Sequence, residues 1–317
     1  MGLRQKLANN PAYIAASHAS YRWMTRISPA WNSRRRWKKI FGFPLRLDAP
    51  RWWDEKLMWL KLNCYNDSPL VRQCANKYLA RKYVAAKGCP ELLIDCLGLW
   101  DRAEEIPWEQ LPDRFVLKST MGCGSHVFCR DKATLDLPAA KRTISAALKD
   151  RYYLDYSEMQ YAPGRDMRPQ VLCERLIDTD DGVMLSDYKF FCFHGEPKYI
   201  LYCYERNAQG HANYMFLDMD WTPHPEYHPC NALDNPPPRP ACLDDMIRYA
   251  RILSEPFPFV RADFYEEKGQ VRFGELTFTP SACLDAEITE QGQLALGALI
   301  DLNRVQPKQF LTMDCLK

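Results

Sequence analysis

The sequence predicts an α/β (α+β) protein whose sheet is largely antiparallel, and three observations predict it. Residues 259–265 and 270–276 each alternate apolar with polar side chains and are joined by Glu266-Glu267-Lys268-Gly269, the pattern of a β-hairpin. Residues 115–119 and 126–129 read as a second pair of strands about the loop Thr120-Met-Gly-Cys-Gly-Ser125. Among these short strands lie segments of helical period, of which 243–253, with Met246, Ile247, Ala250 and Leu253 on one face, is the best marked.

Taken in order, residues 1–50 are basic and aromatic with weak periodicity and read as an arm or cap. Residues 51–106 read as a small α/β unit: a helix over 52–62, a second over 69–87 closed by Gly88, and a short apolar run at 92–99. The main body, 107–302, continues with a helix over 139–149, an irregular stretch containing Pro163 and Gly164, and strands at 170–175, 187–193 and 198–205. The proline run 235–240 lacks the backbone donors of a helix or strand and reads as a connection within the body. A closing helix over 294–302 and a tail, 303–317, complete the chain.

Composition narrows the function. With 47% hydrophobic and 26% charged residues the chain of 317 can bury a sizeable core, and a net charge of +2 gives no whole-chain case for nucleic acid as a partner. Thirteen cysteines, an odd number without C-x-x-C spacing, fit reduced thiols and a cytoplasmic setting. No apolar run is long enough to cross a membrane, and no signal peptide is visible. The run Ser33-Arg-Arg-Arg-Trp-Lys-Lys39 suits peripheral contact with an anionic surface, and equally a solvated loop.

Strand parity puts Arg261 and Asp263 on one face of the hairpin, and Gly274 leaves room beside Glu275 on the other strand. Carboxylates held this way suit Mg²⁺, which takes few protein oxygens and leaves places for phosphate; an amphipathic hairpin with a solvated charged face is the alternative. Lys118 with Gly122 and Gly124 can bring a charge and backbone N–H groups against phosphate, or can be a tight turn beside an exposed lysine. Lys189, inside an otherwise apolar strand, is an anion ligand or an edge gatekeeper, and Glu174 stands where a carboxylate can accept from a ribose. His224, His228 and Cys230 have ligand-like spacing, but Pro223, Pro225 and Pro229 break the helix that would give it meaning, so zinc is not expected there.

The ordered set Lys77, Lys118, the 120–125 loop, Glu174, Lys189, Arg261-x-Asp263 and Glu275-x-Thr277-x-x-Pro280 resembles the ATP-grasp superfamily, and in detail the TupA-like ATP-grasp family. The likeness spans roughly residues 50–302 and is carried by Lys56-Leu-Met-Trp-Leu-Lys-Leu62, Lys77-Tyr78, Leu97-Gly-Leu-Trp100, Leu111-Pro-Asp-Arg-Phe-Val-Leu-Lys118, Asp187-Tyr-Lys-Phe-Phe-Cys-Phe-His-Gly195, Phe257-Pro-Phe-Val-Arg-Ala-Asp263 and Phe273-Gly-Glu-Leu-Thr277. The resemblance implies an ATP-grasp fold, two α/β subdomains gripping ATP. It implies that Lys77, Lys118, Gly122, Gly124 and Ser125 meet the ATP phosphates and that Glu174 lies at the adenosine end. It further implies that Lys189 and Arg261 neutralise phosphate, and that Asp263, Glu275 and Thr277, where asparagine is usual, hold Mg²⁺.

The chemistry so implied is carboxylate–amine ligation through an acyl phosphate, in the making of a bacterial surface polysaccharide or peptide-modified polymer, with a uronic acid or amino acid as substrate. The alternatives are phosphorylation of a sugar hydroxyl, with Asp187 or Asp166 as base, and, from another class, glycosyl transfer from a sugar nucleotide or a non-catalytic binding module in which Asp263 and Glu275 are dispensable. The acceptor pocket is expected from the loops 151–168 and 205–235.

Overall fold

The computed structural model describes residues 10–122, 124, 126–164, 167–177, 185–205, 212–229 and 236–305. The chain opens with two helices, α1 (Pro11–Ile27) and α2 (Pro29–Phe41). Asn10 and Ser28 cap them, each followed by a proline at the first helical position, where the missing N–H costs nothing. The arm expected at 1–50 therefore contains two ordered helices, and they are seated on the body: Arg22 pairs with Asp155 at 2.9 Å and Trp37 is wholly buried.

Helix α3 (Trp53–Leu60) runs into a wider turn at Lys61–Tyr65. The single helix expected over 69–87 is two, α4 (Pro69–Ala75) and α5 (Leu79–Ala86). Asn76 takes extended backbone angles, and its side-chain oxygen accepts from Tyr78 N and Leu79 N at 3.0 Å, so the chain stops and restarts around it. The break puts Lys77 outside either helix.

Strands β1 (Cys96–Trp100), β2 (Phe115–Ser119) and β3 (His126–Cys129), helices α6 (Leu137–Lys149) and α7 (Tyr152–Tyr156), and β4 (Val171–Arg175) follow. They form a sheet of order β1-β4-β2-β3, antiparallel throughout. The boundary expected near 106 thus falls between strands of one sheet. Parity sorts its faces. Phe115, Leu117, Val171 and Cys173 bury against Ile144 of α6, while Val116, Lys118, Glu174, His126 and Phe128 face away from that core.

The second sheet has the order β7-β6-β5-β8-β9, from β5 (Asp187–Phe193), β6 (Glu196–Tyr204), β7 (Asn213–Asp218), β8 (Phe259–Glu267) and β9 (Gln270–Thr277). β7 lies in a stretch expected to be loop. Helix α8 (Leu243–Ser254) lies against β5, β6 and β8 and covers one face. On the other face Trp53 packs on Phe191 and Phe259, both at 5.4 Å, leaving the far end of that face to charged residues. The closing helix, α9, runs from Glu290 to Ala298, earlier than expected, because Thr289 caps it. It crosses α3 so closely that a Cβ on Gly297 would lie 2.2 Å from the Arg51 carbonyl.

Candidate active site

The hairpin does not alternate without interruption. Asp263 opposes Glu275 and Phe264 opposes Phe273, so Gly274 is an extra residue, a β-bulge. Before it Val271 and Phe273 are buried; after it Leu276 and Phe278 are. The bulge therefore reverses the phase of the strand and turns Glu275 and Thr277 to the side of Arg261 and Asp263. A side chain at Gly274 would meet the Asp263 carbonyl at 3.0 Å, which is why the residue that permits this reversal is glycine.

On that face, charges converge from three strands. Arg261 donates to both oxygens of Asp263 (Nε to Oδ1 2.8 Å, Nη2 to Oδ2 2.7 Å) and to Thr277 Oγ1 at 3.1 Å. Lys189, opposite Asp263 on β5, reaches its Oδ2 at 3.1 Å and Asp187 Oδ2 at 3.3 Å. Thr277 donates to Glu275 Oε1 at 3.1 Å, and Arg261 Nη2 lies 3.5 Å from the same oxygen. Lys77, freed by the break between α4 and α5, bonds Gly122 O at 2.7 Å and stands 3.8 Å from Glu275 Oε2. Desolvation works to raise the Glu275 pKa, but the charges of Lys77, Arg261 and Lys189 outweigh it and hold the carboxyl down at about 2. For Lys189, desolvation is the largest influence and lowers, but the charges of Asp263 and Asp187 together outweigh it, so its pKa is raised.

Asp263 is almost fully buried, whereas 41% of the Glu275 side chain is exposed into the crevice. Two carboxylates facing each other across a strand pair, one of them accessible and ionised, with a hydroxyl beside it, match the hard oxygen donors of Mg²⁺. Asp263, Glu275 and Thr277 are thus a donor set that fits the ion.

The glycine loop is held at its base. Lys77 N donates to Thr120 O at 2.8 Å and Gln170 N to Thr120 Oγ1 at 3.0 Å, while Gly122 and Gly124 take left-handed angles (φ +88° and +77°) that suit glycine. Ser125, Cys123 and Asp166 lie outside the described residues, as does Cys230. His224 is engaged by Asp218 and Glu226. Asp187 is buried beside Lys189.

Two cavities adjoin this cluster. The first, about 130 Å³, lies between the sheets, with Lys118, Glu174 and Arg175 at its polar end and Ile94, Val116, Phe128, Leu176, Ile177 and Leu185 among its apolar walls. Glu174 is held by Lys118 at 2.5 Å and by Arg81 at 2.8 Å. An apolar slot with a few polar groups is the kind of site that suits a nucleobase and ribose. The second cavity, about 370 Å³, is lined by Lys77, Gly122, Arg261, Glu275 and Thr277, and facing them by Tyr152, Tyr156, Glu158 and Tyr161. The 151–168 segment thus supplies its far wall, and no described residue of 205–235 lines it. Glu158 is buried, accepts from Thr279 Oγ1 at 2.5 Å, and has its pKa raised by desolvation against the pull of Lys61.

Sequence reasoning missed Arg81, Glu158, the tyrosines and the walls of the slot. Arg81 had a signal in its i+4 spacing from Lys77, but the helix that would make this spacing meaningful is broken between them. The others come together only when the two sheets face each other.

The sequence matches the TupA-like ATP-grasp family over residues 55–301. No relative is found among curated proteins. Similar solved structures include the L-amino acid ligase from Bacillus licheniformis (14% identity, 73% of this chain and 51% of that one, TM-score 0.44). Others are the D-alanine–D-alanine ligase from Bacillus anthracis (13%, 76% and 72%, 0.42) and the ATP-grasp ligase PsnB with minimal precursor, Mg and ADP (14%, 78% and 66%, 0.38). The chain spans about half the length of the first of these. The family assignment rests on the sequence match, which takes in the glycine loop, both sheets and the hairpin: the chain belongs to the TupA-like ATP-grasp family.

Proposed function

We propose that the chain is an ATP- and Mg²⁺-dependent carboxylate–amine ligase acting at the cytoplasmic face of the membrane on precursors of a bacterial surface polysaccharide or peptide-modified polymer. One observation carries this reading. Lys77, Arg261 and Glu275 share a single cavity with Tyr152, Tyr156, Tyr161 and Glu158, so phosphate-binding cations open directly onto an acceptor-sized space with an aromatic wall. Aromatic rings that offer both an apolar face and a hydroxyl suit a sugar or a sugar-linked amino acid.

In this reading the nucleobase enters the slot between the sheets, with Glu174 toward the ribose and Lys118 toward the phosphates. Lys77, Lys189 and Arg261 bind the terminal phosphates, and the loop at Gly122 and Gly124 offers backbone N–H groups. Asp263, Glu275 and Thr277 would hold Mg²⁺, which when bound neutralises phosphate oxygens. A carboxylate oxygen of one substrate takes the γ-phosphoryl group as ADP departs. The amine nitrogen of the other then forms a bond to the carbonyl carbon, phosphate leaves, and the nitrogen gives up a proton. Tyr152 and Tyr161, 5.9 Å apart between ring centres, close the cavity on the side away from the cations and restrict water at the activated carbonyl.

The test is calorimetric titration with a non-hydrolysable ATP analogue, with and without Mg²⁺ and against UDP-sugar controls, repeated on Glu275→Ala. The expected result is analogue binding that Mg²⁺ strengthens, and that the substitution weakens at least tenfold only when Mg²⁺ is present. Binding of UDP-sugars without binding of the ATP analogue would overturn the ligase in favour of glycosyl transfer. Incubation with ATP and pairs of carboxylates and amines should then give ADP, phosphate and amide in equal amounts; ADP with a phosphorylated sugar would identify a kinase.

A further inference from the structure

The first 47 residues hold ten lysines and arginines and no aspartate or glutamate, a formal charge of +10, while the whole chain carries only +2. The remaining 270 residues are therefore acidic in balance. Seven of these cations lie in α1 and α2, and the two helices also carry six of the exposed large hydrophobic residues among those described: Tyr13, Ile14, Trp23, Ile27, Trp31 and Ile40. Trp23 is 57% exposed, Ile27 58% and Trp31 46%. Trp23 and Trp31 meet edge to face at 5.9 Å across the junction of the helices, so the apolar surface is continuous and not a scatter of single residues. Helical spacing places exposed Arg26 beside Trp23 and Ile27 on α1, and exposed Arg34 and Lys38 beyond Trp31 on α2.

The residues that make this surface differ from the basic run as a whole. Arg36 is buried between the rings of Tyr21 and Tyr156, 4.3 and 3.9 Å from their centres. Trp37 has no exposed surface, Arg35 lies over Met24 at 3.2 Å, and Lys39 bonds Tyr21 OH at 3.1 Å. Four of the six residues 34–39 therefore fasten the two helices to each other and to the body. What remains outside is a pair of indoles and an isoleucine rimmed by cations. Indole rings prefer the boundary between hydrocarbon and water, and basic residues are drawn to anionic headgroups.

We infer that the outer face of α1 and α2, centred on Trp23, Ile27 and Trp31 with Arg26, Arg34 and Lys38 around them, docks on an anionic phospholipid bilayer. Docking is peripheral: no described helix is long and apolar enough to cross a membrane. The same pair of helices holds α7 through Arg22 and Asp155 and through Arg36 and Tyr156, and Tyr152 and Tyr156 of α7 form part of the wall of the larger cavity. A docked molecule therefore keeps that cavity close to the headgroup layer, where a lipid-linked acceptor would be presented. This last step, unlike the docking, rests on the ligase reading.

The experiment is co-flotation of the full chain with vesicles of phosphatidylcholine alone and of phosphatidylcholine with phosphatidylglycerol, following tryptophan emission in parallel. The wild type is expected to float only with the anionic vesicles, with a blue-shifted emission and a partition coefficient that falls as salt is added. Trp23→Ser/Ile27→Ser/Trp31→Ser should lose at least tenfold in partitioning. Arg26→Glu/Arg34→Glu/Lys38→Glu, which alters no buried side chain, should lose on the order of 100-fold at roughly fivefold per cation. If the aromatic variant does not fold, as judged by far-ultraviolet circular dichroism, the charge variant alone decides. Failure of the wild type to float, or equal flotation of the folded variants, overturns the inference. So does a wild-type dimer in vesicle-free sedimentation that the aromatic variant abolishes, since the face would then belong to a second copy. Nucleotide-analogue binding, measured separately without vesicles, is unaffected by either result, so the failure of docking and the failure of the ligase reading are told apart.

Discussion

Glu267 offers the sharpest quantitative test of how the two sheets are held around the slot between them. It sits at the end of β8 in the second sheet, and Arg175, at the end of β4 in the first, grips both of its oxygens at 2.6 and 2.9 Å. Arg272 adds a third bond at 2.8 Å. These bonds, Arg175 foremost, bring the Glu267 carboxyl from its ordinary 4.5 down to about 2. That depression corresponds to ~3 kcal/mol of stability for the ionised side chain. Arg175 is 37% exposed, so solvent screening discounts the figure, and ~1–3 kcal/mol is the range for Glu267→Gln, which keeps the shape and removes the charge. The sign follows from linkage: with the folded pKa depressed, the contribution is full above the unfolded pKa near 4.5 and is lost as pH falls through about 2. Urea unfolding of wild type and variant, followed by tryptophan fluorescence at pH 7 and pH 3, should give a midpoint difference that shrinks by more than half at the lower pH. The ATP analogue should also bind the variant less tightly, because Arg175 lines the slot. A loss under ~0.5 kcal/mol at pH 7, or an equal loss at both pH values, would refute the idea that this ion pair braces the sheets.

Three further outcomes follow from the same geometry. Asp54, buried with one oxygen taken by Asp285 N and Gln293 Nε2, has its pKa raised to about 8 by desolvation and by Asp285. The unfolded chain gives up this proton near 3.8, so the group costs stability increasingly as pH rises from there toward 8, and Asp54→Asn should melt progressively higher relative to wild type over that interval in a pH series of thermal scans. Gly274→Ala should cost ~1 kcal/mol in stability yet weaken Mg²⁺-dependent analogue binding more than tenfold, since the new methyl pushes on the carbonyl of Asp263; unchanged calorimetric binding would remove the bulge from the site's geometry. Lys118→Met should weaken the analogue about tenfold with or without Mg²⁺, in contrast to Glu275→Ala, because Lys118 faces the slot beside Glu174 and lies outside the carboxylate set.

The elements whose signal is local were legible in the sequence. Strands at 115–119, 126–129 and 187–193 have the expected bounds, and the hairpin about 266–269 lies where its alternation placed it, because side-chain parity along a strand is a property of a few consecutive residues. The same parity put Arg261 beside Asp263, and the order of lysines and carboxylates along the chain was enough to point to the TupA-like ATP-grasp family. What the sequence could not state is anything set by competition between distant groups. The period over 69–87 is helical, and only the capping of Tyr78 and Leu79 by the Asn76 side chain divides it and presents Lys77 to the glycine loop. Residues 270–276 alternate, and only pairing with β8 shows that Gly274 stands out of register and carries Glu275 to the face of Asp263. The basic run 34–39 reads as uniform, and only packing buries Arg36 and Trp37 while leaving Arg34 and Lys38 outside. The slot between the sheets joins residues from Ile94 to Tyr265, and the larger cavity joins Ala75 to Ala282. Local sequence determined the strands and the chemistry along each one; tertiary structure decided which charges meet, because burial and facing are properties of two surfaces and no single segment contains both.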